Sequence, residues 1–539
     1  MPVLTGVDLL RIQEYVFGSN RLRDVAAASL AVERATDPQA GLRLPYEKII
    51  LAAGGNALLV FENIEEARRW TADFTRRLED ELAPELEAAI VHREFQPGGL
   101  ALAWLELQKD LARQKLARKP SAPQLGLSVT ASCGLTGRPA VDVDEDGTPV
   151  GRRVAALRKY RSLLTNRWKP FLPAELHGAP QWQAEFPLEL DELGRSRGET
   201  SLIGVVHVDG NGVGPHIQRW LERSGEAPDD EVMRQAREWS EDLRRLGETV
   251  FRSLIERVAA CVIPDRHGKS AELLGVPEEL KFELATESSK VYLPLRPIVL
   301  GGDDLTLVCD GRIALDLAAT AVRTFEQQRV RHLGERGGDT NITACAGVAI
   351  VRSHAPFFRA YEAAKMLCAS AKKARREATA DPEAAKAGWM DWTIGTTRPL
   401  ASLEDVRAAY RAGKYLLTMR PYAVTDVSRR QNWTWLDLEV LGPGTQGNAT
   451  GFRGDPAWAQ SRNRVKQLES LVRSGPDAVK RQLAIWRATS HGLQLPRSLD
   501  DGGFVGTATP IVDALELMDL HLRLERPAKA PAASHGEEG

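Results

Sequence analysis

The sequence predicts an α+β protein built from two ferredoxin-like units (βαββαβ), a small linking module and a helical C-terminal domain. Three observations carry this. The order strand, helix, two strands about a Gly-Gly turn, helix, strand occurs once in the first hundred residues and again after residue 199. The second copy carries "IVLGGDDLTLVCDG" (298–311), two apolar runs meeting at two glycines and two aspartates. Beyond about residue 400 the spacing of apolar residues turns helical.

In the first unit (1–100), "PVLTGVDL" suits a strand and "RLRDVAAASLAVERAT" a helix. "KIILAAGGNALLVFE" reads as two strands around a tight turn, "EEARRWTADFTRRLEDEL" as an amphipathic helix and "EAAIVHREF" as the closing strand. The module over 101–198 gives weaker signals: a helix ("ALAWLELQKDLARQKLA"), a hairpin over "GLSVTASCGLTGRPAV", an acidic turn ("DVDEDGTPVG") and little core of its own. The second unit (199–398) opens with "SLIGVVHVDGNGVG". It runs through a long helical stretch, the acidic hairpin, the helix "RIALDLAATAVRTFEQQ", the strand "ITACAGVAIV" and the helix "FFRAYEAAKMLCASAKKARRE". Over 399–525 helices are expected at "LEDVRAAYRAGKYLLTM", "RNRVKQLESLVRS" and "DAVKRQLAIWRAT", with a Gly-rich loop between them; the Pro/Ala-rich end, 526–539, is expected to be disordered.

Length and composition bound the function. A chain of 539 residues, 43% hydrophobic and 27% charged, has material for several cores. Its 71 basic and 73 acidic side chains nearly cancel, so nucleic-acid contact would need local patches or companion proteins. Five scattered cysteines without a C-x-x-C pair argue against a disulfide framework and an intact zinc knuckle. With no secretory leader and no long apolar run, a cytoplasmic protein without membrane association is expected.

Paired carboxylates at a buried hairpin tip repel one another unless a cation lies between them. In a ferredoxin-like sheet the first strand neighbours the central hairpin, which would bring Asp209 beside Asp303 and Asp304. Three such acids suit one or two Mg²⁺ or Mn²⁺ ions. Gly210, Asn211, Gly212 and Gly214, with Gly301 and Gly302, would let backbone N–H groups approach a triphosphate. Lys372 and Lys373 either neutralise phosphate or form a solvated basic helix end. The reaction class this supports is metal-dependent nucleotidyl transfer, with the three aspartates as catalytic, metal-binding acids.

"GGDDL" after a strand, "VDGNGVG" upstream and "ACAGVAIVRSHAPFFRAYEAAKMLCASAKK" together resemble the large polymerase-palm subunit of type III CRISPR effector complexes, and "GVDLLRIQEYVFGSNRLRDVAAASLAVER" is similar to the start of its first palm. The resemblance spans about residues 1–400. It implies a paired-palm enzyme that converts ATP into cyclic oligoadenylate second messengers in antiviral defence, alongside effector subunits, guide RNA and target RNA. By the same resemblance the first palm is degenerate: Gly54 and Gly55 persist, while Asn56 and Ala57 stand where acids would be, so it should hold no catalytic metal. The chain has no His-Asp dipeptide, so DNase activity of the family's nuclease-domain kind is not expected. "TASCGLTGRPA" retains only Cys133 of a zinc pair, leaving the linking module as a remnant of that region. A scaffolding subunit with little catalysis and a freestanding cyclic-nucleotide synthase remain alternative readings.

Overall fold

The computed structural model describes residues 1–38, 42, 44–118, 126–127, 129–176, 181–194, 202–264, 270–273, 280, 283–395, 402–425, 432–442, 451–489 and 493–525. The terminal segment 526–539, the expected disordered tail, lies outside the described residues, as do residues 443–450 of the Gly-rich loop.

The first unit is ferredoxin-like, as its pattern predicts. Strands β1 (Val3–Leu10), β2 (Ile49–Ala53), β3 (Asn56–Phe61) and β4 (Glu87–Glu94) form an antiparallel sheet in the order β2-β3-β1-β4. Helices α1 (Leu22–Thr36) and α2 (Ile64–Arg77) complete it. The Asn63 side chain accepts from the Glu66 N–H to start α2, with acids in the first turn and arginines in the last, matching the helix dipole.

Helix α3 (Leu100–Ala117) packs on β1 and β4, with Leu107 and Leu111 over Gly6. The expected linking module thus opens with a helix that packs on the first unit's sheet. Its Trp104 also reaches Trp220 and Trp239 of the second unit, at centroid distances of 5.7 and 6.2 Å. The helix faces two cores, which explains its weak one-sided pattern. Within the stretch expected to form the linking hairpin Ser132 bridges Pro139 antiparallel, and a second strand pair, Ala140–Val143 with Pro149–Gly151, is closed by the acidic turn. A small cluster of Cys133, Val150 and Val154 is buried beneath them.

The second unit repeats the topology with β5 (Leu202–Gly210), β6 (Leu295–Gly301), β7 (Asp304–Asp310) and β8 (Ala344–Arg352), extended by β9 (Trp389–Ile394) and β10 (Tyr422–Ala423) in the order β6-β7-β5-β8-β9-β10. Its helices are α4 (Val213–Arg223), α5 (Asp229–Ala259), α6 (Ala314–Glu326) and α7 (Phe357–Glu377). Strand β8 lies under α7 at Gly347, where a Cβ would stand 1.9 Å from the Ala364 carbonyl oxygen. Only glycine permits that approach.

The two units exchange helices: α1 lies on β6 of the second and α5 on β2 of the first. Arg237 of α5 donates to the Ile49 carbonyl at 2.8 Å, and Ser29 of α1 donates to the Ile298 carbonyl. This arrangement sets the two Gly-Gly turns against each other, since a Cβ on Gly301 would lie 3.7 Å from Gly54 Cα.

In the C-terminal region the first of the expected helices is cut short. "LEDVRAAYRAGKYLLTM" forms only the helix Leu403–Ala408 before a two-residue-per-strand hairpin (Arg411–Ala412 with Tyr415–Leu416) that turns at Gly413, φ +58°. Helices α8 (Arg462–Leu471), α9 (Pro476–Thr489) and α10 (Ile511–Met518) follow. The region is fastened to the second sheet by β10 and by Arg420, which donates to the Trp392 carbonyl of β9 at 3.2 Å and is held by a buried ion pair, Nε to Asp513 Oδ1 at 2.7 Å.

Candidate active site: the acidic hairpin of the second palm

Strand register brings the acids together. Asp304, the first residue of β7, stands directly opposite Asp209 near the end of β5, and Asp303 occupies the turn between Gly302 and β7. The Gly210 N–H donates to the Asp303 carbonyl at 2.9 Å, and a Cβ on Gly210 would fall 2.8 Å from that of Asp303. Glycine at 210 is what lets the acidic turn close onto β5. Gly302 takes φ +69°, and its carbonyl abuts Gly247 of α5.

Burial dominates the electrostatics. It lifts Asp303 to about 7, helped by the charges of Asp209 and Asp304, and it lifts Asp304 to about 7, helped by Asp209. Asp304 is divided in character: its side chain is 43% accessible as a whole, yet Oδ1 is sealed from solvent without a hydrogen-bond partner. Lys372 of α7 offsets part of the charge, 2.8 Å from Asp209 Oδ2 and donating to the Gly210 carbonyl at 2.9 Å. These are hard oxygen donors on one sheet edge, two held protonated towards neutrality chiefly by burial and one with an orphaned oxygen, the donor type a hard divalent cation takes.

Other expected residues are placed differently. Lys373 points away: its side chain is 70% exposed and its ionic partner is Glu377 on the same helix. The Asn211 N–H donates to the Thr343 carbonyl at 2.7 Å and its side-chain amide to Thr343 Oγ1 at 3.0 Å. Gly210 and Asn211 thus spend their N–H groups inside the fold and do not offer them to a phosphate. Gly212 takes φ +76° and starts α4, whose first-turn donors are Val213 and Gly214, since Pro215 has none. A Cβ on Gly214 would enter open space, and one on Gly301 would meet only Gly54. These positions keep the approach to the hairpin clear.

In the first unit the register corrects the expected correspondence by one residue. Ala53 pairs with Asn56 as Gly301 pairs with Asp304, so Gly55 and Asn56, not Asn56 and Ala57, stand where Asp303 and Asp304 stand. Asp8, opposite Asn56, takes the place of Asp209 and is ion-paired by Lys115 of α3. One acid persists where three would be needed.

Sequence reasoning missed His207, Tyr361 and Lys365. His207 precedes Asp209 by two residues, hence shares its face of β5, and hydrogen-bonds with Thr306 Oγ1 at 3.1 Å. Burial, aided by Lys372 and Lys365, holds its imidazole down at about 4. Tyr361 packs edge-on to His207 and stacks on Phe17 of the first unit at 4.0 Å, while Lys365 donates to the Gln13 side chain at 2.7 Å. The available signal was the spacing 361, 365, 368, 372, a single face of α7.

Two ferredoxin-like units in one chain, one with an acidic hairpin meeting an aspartate at the end of a neighbouring strand, define a paired-palm protein. Residues 202–380 match the family model for the second palm domain of Cas10/Cmr2, and the fold of the chain is similar to that of solved Csm1 chains. Csm1 from T. onnurineus matches with a TM-score of 0.50 at 15% identity, over 97% of this chain and 70% of that one. A chain of the Csm1-Csm4 cassette in complex with one ATP gives 0.51 at 15%, again over 97% and 70%. The same cassette in complex with cA3 gives 0.50 at 13%, over 97% and 70%. None of the curated proteins matches the sequence. Among the described residues no helix is long and apolar enough to cross a membrane.

Proposed function

We propose that the chain is a metal-dependent nucleotidyltransferase that uses ATP to make cyclic oligoadenylates, working as the large subunit of a type III CRISPR effector complex with guide and target RNA. The observation that carries this is the register opposing Asp304 to Asp209, with Asp303 on the adjoining turn, inside a Cas10/Cmr2 palm. The similarity to chains crystallised with ATP and with cA3 favours adenylate chemistry. Asp209, Asp303 and Asp304 would hold Mg²⁺ or Mn²⁺. Such an ion supplies charge neutralisation at the triphosphate and acidifies the attacking hydroxyl. The remaining work belongs to the chain: Gly301 and Gly214 leave room for the nucleotide, and Lys372 offers a positive charge beside the acids.

The test is incubation with radiolabelled ATP and Mn²⁺ or Mg²⁺, for the chain alone and in its reconstituted complex with target RNA. Cyclic product is expected from wild type, falling at least ~100-fold in Asp303→Ala/Asp304→Ala, the scale of losing a preorganised electrostatic group. Product from the isolated chain would favour a freestanding synthase. Its absence even from the RNA-activated complex would leave a scaffold.

A further inference from the structure

Beside the carboxylates lies a donor set of different chemistry. His207 and Asp209 of β5 and Cys368 of α7 offer a ring nitrogen, a carboxylate oxygen and a sulfur that all lie within 4.8 Å of one another. Among the described residues no other three His, Cys, Asp or Glu side chains converge in this way. Asp304 Oδ1, sealed and without a hydrogen bond, stands 3.4 Å from His207 Nδ1 but outside this group, so the fourth position of a tetrahedron would fall to solvent entering past Asp209. His207 and Cys368 are buried, whereas Asp209 is 41% accessible and gives the group an opening to solvent.

A nitrogen and a sulfur are poor ligands for Mg²⁺, which demands an octahedron of oxygens. They suit a borderline-soft, tetrahedral ion. With bonds of about 2.0–2.3 Å, tetrahedral donors lie about 3.3–3.8 Å apart, so this set closes by ångström-scale adjustment of side chains already facing one another. We propose that His207, Asp209 and Cys368, with solvent in the fourth position, form a site for a thiophilic divalent cation of the Zn²⁺ class. As the metal–sulfur bond forms, the Cys368 thiol, which now donates to the Cys345 carbonyl at 3.2 Å, releases its proton to solvent. Lys372 yields its place on Asp209. Because Asp209 also belongs to the proposed magnesium site, filling the softer site withdraws it from the harder one, and Zn²⁺ inhibits. That effect on turnover rests on the nucleotidyltransferase reading; binding itself does not.

Co²⁺ reports such a site directly through a near-ultraviolet thiolate-to-metal band and intense tetrahedral bands in the visible. The metal-free full chain is titrated with Co²⁺, then challenged with Zn²⁺. Expected is one equivalent of thiolate-bound Co²⁺, bleached by Zn²⁺, with affinity at least ~10-fold weaker and no thiolate band in Cys368→Ser. Asp303→Ala and Cys345→Ser should keep the band. No thiolate band in wild type, or a band surviving Cys368→Ser or lost in Cys345→Ser, overturns the site. Serine is nearly isosteric with cysteine, and circular dichroism checks the fold. In the product assay Cys368→Ser should keep Mg²⁺-dependent turnover and raise the Zn²⁺ concentration for half-inhibition ~10-fold. A thiolate band without turnover in the RNA-activated complex would retain the site and discard the enzyme reading; turnover without a band would do the reverse.

Discussion

Lys372 and Lys373 are adjacent in sequence and opposite in role, because neighbouring residues on a helix face different directions. Lys372 bonds Asp209 and the Gly210 carbonyl, whereas Lys373 is solvated. A charge-assisted contact contributes about 1.5–3 kcal/mol, or roughly ten- to a hundredfold in rate where the transition state uses it. Lys372→Ala should lower cyclic product by that factor and Lys373→Ala by less than about twofold, read in the same ATP assay. The acids give a pH signature. Without metal, the folded chain keeps protons on Asp303 and Asp304 up to about 7, whereas ordinary unfolded carboxylates release theirs near roughly pH 4. The stability these two groups contribute therefore falls as pH rises through that window and levels off above it. His207, held down at about 4, pulls the other way below roughly pH 6.5. The difference in melting temperature between wild type and Asp303→Asn/Asp304→Asn isolates the acids: wild type should be relatively more stable at pH 5 than at pH 8. Added Mg²⁺ should stabilise wild type more at pH 8.

At the scale of elements, α7 and β8 form the least tolerant contact described above. Gly347→Ala drives a methyl into the Ala364 carbonyl and the Cys368 N–H, 1.9 and 2.3 Å away, so α7 must lift from the sheet. The expected cost is about 1–3 kcal/mol or more, measured by chemical denaturation, and Lys372 should lose its hold on Asp209. Most elements were legible in the sequence because their patterns are strong. The buried strands β5, β7 and β8 and the helix α7 lie where the apolar runs and helical spacing put them. The site was legible as three acids and a sheet order, since topology fixes which strands neighbour one another. What escaped was decided by tertiary contact. Helix α3 looks like a linker until both cores it serves are in place, and "LEDVRAAYRAGKYLLTM" scores as helix although Gly413 turns it. The acidic turn "DVDEDG" is held by arginines from elsewhere: Asp144 and Asp146 pair with Arg21 of the first unit at 2.8 and 2.7 Å, and Arg158 and Arg161 join them.

For the molecule as a whole, the buried Arg420–Asp513 pair joins α10 to the segment that enters β10, and Arg420 in turn donates to the Trp392 carbonyl of β9. Asp513 also accepts from the Tyr422 hydroxyl of β10 at 2.7 Å and from the Met419 N–H at 2.8 Å, so removing it takes a partner from both and leaves Arg420 with Glu516 as its remaining carboxylate. Asp513→Ala should cost about 1–3 kcal/mol, with limited proteolysis reporting release of the C-terminal region before the palms unfold. The exchange of α1 and α5, with Gly54 meeting Gly301 at the centre, has a deeper consequence. It is the geometry of a two-fold symmetric dimer written into one polypeptide. In a true homodimer every substitution is made twice, so neither partner can lose its acids without the other losing them too. Joining the halves covalently removes that constraint. Gly55 and Asn56 can stand in one turn while Asp303 and Asp304 stand in the other, and division of labour between two copies of one fold becomes available to a single chain.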